Sequence, residues 1–151
     1  MANTGVEVVR QGDNITLGMP GQVTFATSSA EITADFKPIL NNVASTLVEF
    51  NQTLIEGLST FPKIRVYGTL DPELSVAIAS FTVDGMRVSE IGLRLDEEFG
   101  VFSRVGLHCA PAAHKTIGSF PEGTERLAPG AFTTIEDIQE ALKAINRVVR
   151  S

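Results

Sequence analysis

The stretch FKPILNNVASTLVEFNQTLIEGLSTFP, Phe36 to Pro62, decides the fold. Its apolar residues Phe36, Leu40, Val43, Leu47, Phe50, Leu54, Leu58 and Phe61 recur in steps of three and four. That is the period of one helical face. The spacing predicts one long helix from about Ala34 to Thr60, entered through the polar loop Ser28 to Thr33 and stopped by Pro62. Gly57 weakens such a helix by about 1 kcal/mol relative to alanine. The competing reading breaks the helix at Asn51-Gln52 and starts a strand near Thr53 to Glu56.

Upstream of this helix, Val6 to Arg10 and Ile15 to Leu17 read as short strands around Gln11-Gly12-Asp13-Asn14, which has hairpin-turn chemistry. Met19-Pro20-Gly21 interrupts the pattern, and Val23 to Ala26 is a further extended piece. Downstream, Ile64 to Tyr67 and Leu74 to Val83 read as strands joined by a turn at Asp71-Pro72. Both faces of the second are apolar or small, which predicts a central strand. Val88 to Phe99 is an amphipathic helix with Gly100 as its stop, and Phe102 to Leu107 is another strand. Residues 108 to 131 read as one long irregular segment rich in proline and glycine. Thr133-x-x-Glu136 is a capping box for a last helix, with Ile135, Ile138, Leu142, Ile145 and Val149 on its apolar side. The sum predicts an α+β fold: a two-layer sandwich of a mixed, mostly antiparallel sheet packed against about three helices, as one domain over residues 1–151. The strand order stays open.

A chain of 151 residues can bury a sizeable core. Its net charge of −6 argues against a nucleic-acid partner, which needs clustered Lys and Arg. Lys143, Arg147 and Arg150 read instead as complements to a helix C-terminus. The single cysteine, Cys109, excludes an internal disulfide. No apolar run approaches membrane-spanning length, so no membrane partner is expected. The start MANTGVEVV has neither a basic flank nor an apolar core, which predicts a soluble cytoplasmic product without a signal peptide.

The most specific chemical signal is RVGLHCAPAAHKTIG, Arg104 to Gly118. A cysteine beside His108, with His114 and Lys115 nearby, has the neighbours that favour a thiolate. The bland reading is a surviving thiol with nothing to serve. A metal site is not expected, because His108, Cys109 and His114 supply at most three ligands without zinc-type spacing.

EGLSTFPKIRVYGTLDPELSVAIASF and RVGLHCAPAAHKTIGSFPEGTERLAPGAFTT together resemble the C-terminal part of a cysteine desulfurase or selenocysteine lyase. The resemblance implies that Cys109 matches the cysteine that takes sulfur or selenium as a persulfide. It implies that Arg126, in GTERLAPG, matches the arginine that grips the substrate carboxylate. The family more often has Ser and Tyr where this chain has Ala128 and Ala131. It also implies pyridoxal phosphate, whose Schiff-base lysine, acidic partner and phosphate cradle lie in the family's large domain. Lys37 sits in no cofactor motif, so no cofactor is expected here.

ITLGMPGQVTFATSSAEI and FKPILNNVASTLVEFNQTLIE resemble the first half of an OmpA-type peptidoglycan-binding domain. The two resemblances meet at a seam near residues 54–57. Together they imply a recombined or artificial chimera: a folded scaffold without autonomous catalytic activity, with Cys109, Arg126 and His108 as remnants. One alternative is a sulfur-transfer module carrying a persulfide on Cys109. A second is residual peptidoglycan binding, although no GHTD motif is present. Surface that once faced a lost domain would favour a homo-oligomer.

Overall fold

The structure, a computed structural model, describes residues 7–11, 14–18, 25, 29–71, 74–130 and 132–150. The chain forms two compact units, Met1–Ser45 and Thr46–Ser151. In the first, β1 (Glu7–Gln11) pairs antiparallel with β2 (Asn14–Gly18), with Glu7 opposite Gly18 and Gln11 opposite Asn14. This is the expected hairpin, with its first strand displaced by one residue and its second longer by one residue at each end. Gly12 and Asp13, the centre of the expected turn, lie outside the described residues. Of the extended piece Val23 to Ala26 only Phe25 is described, and it bridges Ile32.

Helix α1 (Lys37–Ser59) is one unbroken element, so Thr53 to Glu56 are helical and the strand alternative falls. It starts a turn later than expected. The Phe36 and Lys37 amides both donate to the Thr33 carbonyl, and Pro38 takes a first-turn position where its missing N–H costs nothing. Of the apolar stripe, Phe50, Leu54 and Leu58 are buried, while Leu40 and Val43 are exposed.

The second unit holds four strands in the order β3-β4-β6-β5. They are β3 (Ile64–Tyr67), β4 (Ala79–Val83), β5 (Arg104–Gly106) and β6 (Thr124–Leu127). All three pairings are antiparallel. Three further helices are α2 (Val88–Phe99), α3 (Pro111–Ile117) and α4 (Ile135–Arg150). One sheet face and helices α1, α2 and α4 share a core built on Leu54 and Leu58 of α1, Phe81 and Val83 of β4, Ile91 and Leu95 of α2, Leu127 of β6, and Ile145 and Val148 of α4. The fold is therefore an α+β sandwich with an open antiparallel sheet, and no helix among the described residues is long and apolar enough to cross a membrane.

Four expectations need correction. The segment 108–131 is not irregular: it contains α3 and β6. Pro111 at the helix start and Gly118 in the left-handed conformation at its end frame α3. β6 reads TERL, whose polar letters conceal a strand paired on both sides. The strand expected over Leu74 to Val83 is only its second half, because β3 ends at Tyr67 and β6 pairs no further than Ala79. Within the remainder, Ser75 accepts a 2.6 Å bond from buried Asn51 Nδ2. The strand expected over Phe102 to Leu107 shortens to Arg104–Gly106, the length that β6 pairs. Finally, the capping box is shifted by one residue. The Thr134 amide donates to Asp137 Oδ2 (2.8 Å) and the Asp137 amide to Thr134 Oγ1 (3.2 Å).

The registers line residues into rows across all four strands. On the core side the row is Val66–Phe81–Glu125–Val105. On the opposite side it is Tyr67–Ser80–Arg126–Arg104. Glu125 is thus a carboxyl in an apolar row, 0% exposed, facing Gly92 of α2. Neither carboxyl oxygen has a hydrogen-bond partner of ordinary geometry among the described residues; the Ser103 hydroxyl is near enough to act on the carboxyl without closing such a bond. Burial pushes its pKa up to about 7, with the Ser103 hydroxyl pulling part of the way back.

Gly123, just before β6, has φ +85 and backs directly onto the Gly106 backbone, so a Cβ there would overlap the Gly106 carbonyl. Gly123→Ala is expected to cost upwards of about 3 kcal/mol in urea unfolding, because backbone cannot step aside. Gly118→Ala, with left-handed φ but open space around it, is expected to cost only about 1–2 kcal/mol. Equal losses would contradict this packing.

Glu125 gives a pH signature. Its folded pKa, about 7, lies above the ordinary 4.5, so the folded state holds the proton more tightly. That stabilisation is complete below pH 4.5 and is lost as pH rises through about 7. Glu125→Met should therefore gain on the wild type by on the order of 2–3 kcal/mol between pH 5 and pH 8. An identical gap in urea stability at both pH values would refute a buried, unpartnered carboxyl.

Candidate functional site

Cys109 stands at the end of β5, on a tight turn rather than in a long loop. The turn spans Leu107 to Ala110 and is closed by the Ala110 amide on the Leu107 carbonyl at 2.8 Å. Its two central residues, His108 and Cys109, have φ of 50° and 60°. Both are left-handed, the geometry of mirror-image turns that normally recruit glycine or asparagine. Histidine is tolerated there better than most residues but cysteine is not, and such outliers gather at functional sites. The turn leaves Cys109 exposed.

His108 does not offer its ring to the thiol as the sequence suggests. Its Nε2 lies 3.1 Å from the Thr124 carbonyl of β6. A carbonyl only accepts, so Nε2 carries the proton. Burial, then Arg126, pushes the imidazole below its ordinary pKa, with smaller contributions in the same direction from His114 and Arg104; the Thr124 bond opposes them. His108 is therefore held neutral at pH 7 and supplies no cation to Cys109. His114, in α3, is buried, and its Nδ1 lies 2.7 Å from Ser119 Oγ. The two imidazoles are tilted at 44° with centroids 5.8 Å apart. Lys115 projects over the Phe120 ring, 5.0 Å from its centroid.

Arg126 lies on the sheet face opposite the apolar core row, directly opposite Ser80 on one side and Arg104 on the other. Among the described residues neither arginine forms an ion pair. Both act on the His108 charge, so both stand within electrostatic reach of the Cys109 turn. Sequence reasoning found Cys109, His108 and Arg126 but missed Arg104, Thr124 and Ser119. The last three matter through β6 and α3, the elements hidden in the supposed irregular segment.

Pyridoxal phosphate would need a lysine and an acid at one site. The Tyr67–Ser80–Arg126–Arg104 row contains neither. Glu125 belongs to the opposite face. Lys63 reaches the Val149 carbonyl, and Lys143 pairs with Glu140 at 2.7 Å. The residues described do not by themselves fit that cofactor.

A probable cysteine desulfurase of Synechocystis is 28% identical over 113 residues, covering 74% of this chain and 26% of that protein. The cysteine desulfurase of Thermococcus onnurineus, solved in its apo form, has a TM-score of 0.69 at 19% identity, covering 99% of this chain and 38% of the other. That likeness concerns the fold. The probable lipoprotein YiaD of Escherichia coli is 46% identical over 55 residues, 36% of this chain and 25% of its own. The chain spans about a quarter of the length of the curated relatives it matches. The model of the aminotransferase class-V family matches residues 28–141, beginning well before the expected seam. On that match, which takes in most of the sequence, the chain belongs to the class-V aminotransferase family.

Proposed function

We propose that this chain is a desulfurase-type small domain that carries sulfur on Cys109 and does not release it from an amino acid unaided. The observation that carries the reading is an exposed thiol on a left-handed turn whose neighbour His108 feels the charge of Arg126, a half-buried arginine with no ion pair among the described residues. A thiol so placed exchanges sulfur without a cofactor. The Cys109 thiolate attacks the outer sulfur of a persulfide donor R–S–SH. A new S–S bond forms as the donor's S–S bond breaks. R–S⁻ leaves and takes a proton from solvent, and the sulfur arrives as Cys109–S–SH with no net oxidation. Arg126 grips a donor that carries a carboxylate, through paired charge-assisted hydrogen bonds.

Intact-mass analysis after incubation with cysteine persulfide tests this. One added sulfur is expected on the wild type, none on Cys109→Ala, and the sulfur should pass to an acceptor thiol. Arg126→Ala should raise the donor concentration needed for half-loading by roughly tenfold or more, from the loss of a charge-assisted pair. Loading no faster than that of a short unstructured cysteine peptide would end the proposal. A second reading, a recombined chain whose upstream part derives from an envelope protein, is favoured by the short lipoprotein match at 46% identity. It concerns origin, and it leaves the chemistry of Cys109 unchanged.

A further inference from the structure

We propose that His108 is a positioning residue, whose Nε2–H pins the Cys109 turn to β6 through the Thr124 carbonyl and so fixes where the thiol points. The role assigned to Cys109 is the reading above; the clamp itself rests on geometry. Two consecutive left-handed residues, the second of them a cysteine, do not hold that conformation by local preference alone. The single bond across the turn, Ala110 to Leu107, would survive several turn shapes. What selects this shape is anchorage on both flanks. On the β5 side, His108 reaches across to Thr124, whose own backbone is registered against Gly106. On the α3 side, the His108 ring packs against His114, and His114 is fixed by Ser119 Oγ and by the Ser119 amide on its carbonyl at 2.9 Å. Thr124, His108, His114 and Ser119 thus form a chain of contacts behind Cys109, from β6 to the residues following α3.

The same geometry argues against an imidazolium at His108 beside the thiol. A general base must hold a free lone pair toward the thiol, or the thiol must gain from an adjacent imidazolium. The Nε2 proton is committed to Thr124, so the ring is held by β6 and Nδ1 is its one unprotonated nitrogen. The charged and titratable groups that act on the ring are Arg126, Arg104 and His114, and all three oppose imidazolium formation. His108 acts on Cys109 through the backbone it holds.

Long-range proton–nitrogen NMR of the wild type at pH 7 tests the clamp directly. A neutral His108 with its proton on Nε2 is expected; a proton on Nδ1 alone would overturn the clamp. Two variants give the functional readout. His108→Phe keeps a ring but no donor, and His108→Gln restores a donor. Persulfide loading of Cys109 should fall by about tenfold in the Phe variant, the scale of one lost hydrogen bond, and recover to within about threefold in the Gln variant. Backbone chemical shifts should report left-handed Cys109 in the wild type and the Gln variant and not in the Phe variant. The pH midpoint for alkylation of Cys109 by neutral iodoacetamide should be the same in all three. Unchanged loading in His108→Phe, or a shifted midpoint, would show activation or no role in place of positioning. If the wild type itself does not load, the sulfur-carrier reading fails, while the tautomer and the backbone shifts still decide the clamp.

Discussion

Strand β6 is four residues long and has a neighbour on each side, so the backbone of Thr124 to Leu127 is committed to β4 and β5 together. Without it β5 would have no partner, since its only registered pairing is with β6. The register of this one strand sets both rows of the sheet. A slip by one residue would turn Arg126 toward the core and Leu127 toward solvent, exchanging every contact at once. Burial of Phe81 and Leu127 on one face therefore fixes where Arg126 stands on the other. Gly123 lets β6 begin there, because only a residue without Cβ can back onto Gly106. The site inherits its geometry from this strand. Thr124 holds the turn of Cys109, and Arg126 stands in line with Arg104.

The two faces of the sheet carry opposite imperfections. The core face is apolar except for Glu125, which has no partner and resists ionisation. The other face places Arg126 and Arg104 directly opposite one another. Like charges in that relation destabilise a sheet, commonly by a few tenths of a kcal/mol up to about 1. In a chain of net charge −6, the absence of a carboxylate partner for either arginine among the described residues is notable. Acidic side chains were plentiful, and the fold spent them elsewhere: Glu98 on Arg94, Glu140 on Lys143, Asp137 on the α4 cap. A face left positive beside an exposed thiol suits a sulfur donor that is itself an anion, the electrostatic logic of the proposed role for Arg126.

The long elements were legible because their signals are periodic. The three–four spacing from Phe36 to Phe61 announced α1, and Val88 to Phe99 with Gly100 announced α2 to the residue. The hairpin and β3 were legible from turn residues and β-branched runs. What escaped was short and polar. β6 alternates Thr, Glu, Arg and Leu, so its core side holds a carboxyl where pattern reading expects an apolar residue. α3 has seven residues, too few to show a period. The failed half of the Leu74 to Val83 strand shows the converse: Leu74, Val76 and Ile78 alternate as a strand should, yet they are exposed because no neighbouring strand extends to meet them. For the site, the residue types were readable and their connections were not. That His108 faces Thr124 depends on a sheet pairing about sixteen residues along the chain, which no local pattern encodes.

A class-V fold spanning about a quarter of its relatives' length poses a question of chemistry more than of size. Cleaving a carbon–sulfur bond needs an electron sink, and the polar row of this sheet supplies arginines, a serine and a tyrosine but neither a lysine nor a carboxylate to hold one. Moving a sulfur already present as a persulfide needs much less. One S–S bond replaces another, so the demands reduce to an accessible thiolate, a fixed direction of approach and a handle on the donor. Each of those is local to β5, β6 and the turn between Leu107 and Ala110. The two reactions differ in how many groups each must bring together, and that difference is the physical ground on which the proposed sulfur-carrying role for Cys109 rests.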